Sequence, residues 1–122
     1  MFNKEFTIES LNVLMNETGI EKSSFSVIGR CAKILNDEIL TSDNTFIEIL
    51  VDTDVMNALF IKEMRKTKHI ANILQKDGTR RIEYFTVHGN VIIYDLYQGY
   101  PRLQQIQKFT NIDGFIVMLF DE

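Results

Sequence analysis

Glu48 is the residue whose type and setting most invite chemistry. It sits inside the apolar run Phe46-Ile47-Glu48-Ile49-Leu50-Val51, with Asp43 before it and Asp52 and Asp54 after it. A carboxylate in such a run is costly to bury, so it must either bind something or face water. Glu48 is therefore either a metal ligand or the wet-face residue of an ordinary strand. The other reading is inside–outside alternation. Residues 46, 48 and 50 of a strand share one side and 47, 49 and 51 the other, which leaves Ile47, Ile49 and Val51 as the apolar side. Alternation accounts for Glu48 without any ligand and points away from an enzyme.

A second set of residues could meet a partner. Seven of the thirteen basic residues lie between Lys62 and Arg81, opposed there only by Glu63 and Asp77. That leaves the stretch at +5 and the remainder at −9 within a net charge of −4. Arg65, Lys66, Lys68, Arg80 and Arg81, with Arg30, are the candidate partner-binding residues, since their guanidinium and ammonium groups suit phosphate or a carboxylate-rich surface. The stretch holds no aromatic side chain on which a base could stack, which weakens a single-strand nucleic-acid reading. A solvated helix and loop is the plainer reading of the same charges.

Other constellations say less. The single cysteine, Cys31, forbids an internal disulfide, and its neighbours Ile28, Ala32, Ile34 and Leu35 suggest a buried core thiol. His69 and His88 lack the spacing of a zinc site and read as solvated or capping residues. No phosphate-binding glycine loop and no nucleophile elbow occurs. Tyr84, Tyr94, Tyr97 and Tyr100 cluster in sequence. With Phe115 and Phe120 they could cover a core edge or form an adhesive surface. The start, MFNKEFTIESLN, has no apolar signal region and no segment reaches membrane-spanning length, so a cytoplasmic protein without a membrane partner is expected.

The elements that must position these residues follow from periodicity and punctuation. The 122 residues, 45% apolar and 25% charged, suit one globular domain over 1–122. Thr7 is expected to cap a first helix with Ile8, Leu11, Leu14 and Met15 at helical spacing, stopped by Gly19. A strand over 24–28 leads through Gly29 into a second helix, RCAKILNDEIL, and the strand 45–51 leads to a third helix capped by Asp52 or Thr53. KHIANILQ reads as a further helical turn or two. RRIEYFTV and NVIIYDLY read as a hairpin around His88-Gly89-Asn90, with the glycine free to take positive φ. Pro101 begins a helix carrying Leu103, Ile106 and Phe109, and the chain ends in one strand, FIVMLF, that is either central or an edge covered by a partner. The expected class is α/β or α+β, a mixed β-sheet with helices packed against it.

This order resembles the minimal nucleotidyltransferase-fold superfamily. VIGRCAKIL resembles its glycine turn and following helix, TFIEILVD its acid-bearing strand, and VIIYDLYQG the later strand that carries a third acid; the likeness runs from about Ser23 to Glu122. In such enzymes three carboxylates hold two magnesium ions that bind a nucleoside triphosphate. The resemblance implies nucleotide binding at Gly29 and Arg30, and Mg2+ at Glu48 and Asp95. Two positions depart from the pattern: Arg30 follows Gly29 where a serine or glycine is usual, and Phe46 stands where the first strand acid belongs. Phenylalanine cannot bind a metal. The expectation is therefore a non-catalytic, nucleotidyltransferase-like pseudoenzyme with no cofactor, acting through a protein partner, a homodimer or a nucleic acid. The alternatives are a magnesium-dependent nucleotidyltransferase, with Glu48 and Asp95 as its catalytic, metal-holding carboxylates and Asp52 or Asp43 in place of the missing acid, and a small phage- or plasmid-type inhibitor of a host protein.

Overall fold

A computed structural model of the chain describes residues 3–41, 46–64, 70–74, 80–86, 88–95 and 108–119. The expected class holds, since helices and a mixed seven-stranded sheet make up the described residues.

The first helix, α1, spans Lys4–Thr18. Its cap is Asn3, whose side chain accepts from the Phe6 N–H at 2.8 Å, and not Thr7. Thr7 lies one turn inside, fully buried, with its hydroxyl donating to the Asn3 carbonyl. Asparagine caps better than threonine, and the earlier start adds Thr7 to the buried stripe of Leu11, Leu14 and Thr18. Gly19 ends the helix in the left-handed conformation, as its position in the sequence predicts.

A short 3-10 turn, Lys22–Ser24, leads into β1, Phe25–Ile28, which passes directly into α2, Gly29–Leu35. α2 stops earlier than RCAKILNDEIL suggests. Asn36 follows it, its side-chain amide donating to the Met118 carbonyl, and Asp37 takes φ 60°. β2 is Phe46–Val51 and α3 is Thr53–Met64, capped by Asp52, whose carboxylate accepts from the Val55 N–H at 2.9 Å.

KHIANILQ is not helical where it is described: Ile70–Leu74 is a strand, β3, paired antiparallel with β4, Arg80–Phe85. Over five residues an apolar run fits either period, and the available pairing edge decided the outcome. β5 is Asn90–Asp95. The final segment is a hairpin and not a lone strand: β6, Lys108–Ile112, turns through Asp113 and Gly114, both at positive φ, into β7, Phe115–Leu119. Phe109 therefore belongs to β6, while Leu103 and Ile106 lie outside the described residues.

The strand order is β3-β4-β5-β2-β1-β7-β6. β1 runs antiparallel to β2, and β2 runs parallel to β5. The apolar final strand is thus internal, with the more polar β6 outside it. Register divides the sheet into two alternating rows. One row contains Phe25, Val27, Ile47, Ile49, Val51, Val91, Ile93, Ile82, Tyr84, Phe115 and Val117, every one buried. The other mixes buried Ile28, Leu50, Ile92 and Tyr94 with half-buried Ser26, Phe46, Glu48 and Glu83 and exposed Phe85, Asn90 and Phe109. Tyr84, Tyr94 and Phe115 are therefore core residues and not an adhesive surface. Tyr97, Tyr100 and Phe120 lie outside the described residues.

Candidate functional site

Glu48 occupies the middle of three adjacent strands, opposite Ile28 of β1 and Ile92 of β5. These are the strands of the three sequence segments that carry the resemblance. Gly29 begins α2 at φ +68°, which a side chain would strain, and a Cβ there would lie 2.5 Å from Glu48 Oε1. The half-buried carboxylate thus rests on the bare Cα of the glycine turn. Positive φ is what calls for glycine at 29, while the Glu48 carboxylate, at the far end of a flexible side chain, would have to move aside for any Cβ there.

Beneath this contact lies Cys31, 1% exposed. Burial pushes its thiol up to about 11, the Thr7 hydroxyl pulls the other way, and the charge of Glu48 adds to the rise. A buried, protonated thiol is a core group and not a nucleophile, in agreement with its apolar sequence neighbours.

The other candidate ligands do not converge on Glu48. Asp95 pairs with Val51, three positions along β2, so backbone alternation assigns position 95 to the other row and about 10 Å along the sheet. Asp52 is committed to the α3 cap, and Asp43 lies outside the described residues. Among the described residues no group of three or more His, Cys, Asp or Glu is placed to hold a metal ion.

Of the basic candidates, Arg30 is exposed on the first turn of α2. Arg80 and Arg81 open β4 at successive positions, so they belong to alternate rows, paired with Leu74 and with Ile73 and Tyr94 respectively. Arg65, Lys66 and Lys68 lie outside the described residues, as does His69.

One constellation escaped the sequence. Ser10 Oγ donates to the Phe6 carbonyl at 2.8 Å and lies 2.8 Å from His88 Nδ1. His88 Nε2 lies 3.2 Å from Glu9 Oε2, and the ring stacks on Phe6 with centroids 4.3 Å apart. His88 is therefore half-buried against α1 and is not a helix cap. Serine, histidine and acid in a row suggest a catalytic triad, but Ser10 is fully buried and its proton goes to a helix carbonyl. The trio instead fastens α1 to the β4–β5 hairpin.

Gly89 in that hairpin is needed for space and not for positive φ. A Cβ there would come within 2.7 Å of Ser10 Oγ, and the turn itself is built by Thr86, whose hydroxyl accepts from the Gly89 and His88 N–H groups. The contact joins residues 78 positions apart, and no local pattern announces it.

Among the described residues no helix is long and apolar enough to cross a membrane. Compared with models of known families, with curated proteins and with solved structures, the chain matches none of them.

Proposed function

We propose that this chain is a nucleotidyltransferase-like protein without a working metal centre, which acts by binding a protein or nucleic-acid partner. The observation that carries the reading is the contact between Glu48 and Gly29. In the resembled superfamily the glycine turn lets phosphate approach the backbone. Here a carboxylate lies on that glycine, and an incoming triphosphate would meet a like charge at close range. Phe46 supplies no ligand in the same row, and position 95 falls in the other row. Losing carboxylates from such a centre removes most of the charge that holds magnesium. Partner binding would then fall to the cationic residues: Arg30, Arg80 and Arg81, with Arg65, Lys66 and Lys68.

Thermal unfolding with magnesium and a panel of nucleoside triphosphates tests the loss of the metal centre. A ligand at one hundred times its dissociation constant adds about 2.7 kcal/mol, several degrees for a domain of this size. No magnesium-dependent shift is expected with any nucleotide. A shift of that size that disappears in Glu48→Gln would overturn the reading and restore an enzyme. Partner class is read from salt: contacts to phosphate make affinity fall steeply with ionic strength, whereas a shallow slope assigns a protein partner.

A further inference from the structure

We propose that β6 is a two-fold interface through which two copies of this chain join their sheets into one. The inference does not depend on the nucleotidyltransferase-like reading, and concerns the opposite side of β1 from the β5 strand that carries Asp95.

β6 ends the sheet order. Its pairing with β7 runs from Lys108↔Leu119 to Ile112↔Phe115 without a bulge. Among the described residues its backbone makes hydrogen bonds only to β7, and the one side-chain bond of the strand is Asn111 accepting from the Gly114 N–H. Among the described residues nothing pairs with the outer row of N–H and C=O groups. Edge strands are normally blunted by proline, bulges, several charges or extreme shortness. β6 has no proline, no bulge and a single charge, Lys108, at its start. It also presents Phe109, 40% exposed.

In a two-fold antiparallel register this edge sets no like charges against each other and pairs its central threonine with itself, which favours a second copy as the occupant. Two antiparallel edges related by a two-fold axis perpendicular to the sheet must pair residues of the same row. The register that engages all five residues places the axis at Thr110. Thr110 then faces the partner's Thr110, Phe109 faces the partner's Asn111, and Lys108 faces the partner's Ile112. No like charges meet, and threonine pairs across strands are favourable. The two Phe109 rings become diagonal neighbours, about 7–8 Å apart at the backbone and within reach of each other, so the exposed ring of each copy is covered by the other. The interface is isologous, as a closed dimer requires. It is also small, so a micromolar dissociation constant is expected and not a permanent assembly.

The single cysteine of the chain makes the test clean, because Cys31 is buried. The mass of the full chain in solution, followed from about 1 to 100 µM, is expected to rise toward twice 14.2 kDa. Thr110→Glu and Thr110→Lys each set like charges face to face on the axis, and each should remain a monomer with an intact unfolding transition. Their equimolar mixture should regain the dimer. Thr110→Cys should form a covalent dimer under mild oxidation, since directly opposed Cβ atoms approach disulfide range. Asn111→Cys, diagonal to its own copy, should not. The cross-link requires no charge in the strand, so it decides the matter even if a charged variant folds poorly. A wild-type chain that stays monomeric at 100 µM, or a dimer that both charged variants leave intact, overturns the proposal.

Discussion

The two rows of the sheet differ in what they demand of the sequence. The row of Val27, Ile47, Ile49, Val91 and Ile93 is sealed, with no charged side chain among its described buried members. The row of Glu48 alternates buried aliphatics with a carboxylate, an amide and partly exposed rings. Both rows are cut from the same strands, so the difference reflects what covers each and not strand propensity. Among the described side chains of the core strands, Glu48 and Glu83 stand where burial is incomplete, because an unpaired charge at a fully buried position would cost more than the domain can spare.

The comparison breaks most visibly under truncation. Ile49→Ala in the sealed row should lose about 3–4 kcal/mol in urea unfolding, the transfer term plus the cavity left behind. Phe85→Ala, 41% exposed in the other row, should lose no more than about 1 kcal/mol. Equal losses would mean that the rows are not distinct.

The next effect sharpens the comparison through pH. The Cys31 thiol is raised in the folded chain from 9.0 to about 11, so the unfolded chain gives up its proton first. The stability this group contributes is complete below pH 9 and is lost as pH rises to about 11, a change on the order of 2–3 kcal/mol. Cys31→Ala should therefore flatten the fall in melting temperature over that interval, and an unchanged slope would remove Cys31 as its cause.

Gly29→Ala comes third. Positive φ alone costs about 1–2 kcal/mol for a side chain, and the new methyl must displace the Glu48 carboxylate. Glu48→Ala in the same chain should recover the second part and leave the first, which a double-mutant cycle measures. Strict additivity would show that the two residues do not touch. The smallest effect is Glu48→Leu, expected within about 1 kcal/mol of wild type, since it trades a solvated carboxylate for an aliphatic group beside Phe46 and Leu50. A loss well above that would mean that the charge of Glu48 is satisfied by the fold and is not a remnant.

Much of the fold was legible because it is written locally. Gly19 stops a helix, Asp52 starts one, and the runs over 46–51, 80–85 and 90–95 are strands by length and composition. The failures share a cause. Thr7 is an acceptable cap, but tertiary burial of the 7-11-14-18 stripe moved the start to Asn3. The run over 70–74 is short enough for either period, and β4 offered it a pairing edge. Gly89 looked like a turn glycine, whereas its constraint comes from Ser10 on a helix far away in sequence.

The candidate site divides in the same way. The sequence by itself determined that Glu48 belongs to the wetter side of its strand and that Cys31 is a core residue, because side-chain chemistry and period-two alternation are local properties. Only the tertiary structure decided that Glu48 lies on Gly29, that position 95 falls out of its row, that Ser10 and His88 meet, and that β6 and not β7 ends the sheet. Strand order and register set those distances, and they are fixed by the summed burial of the whole sheet, which no single segment of the chain encodes.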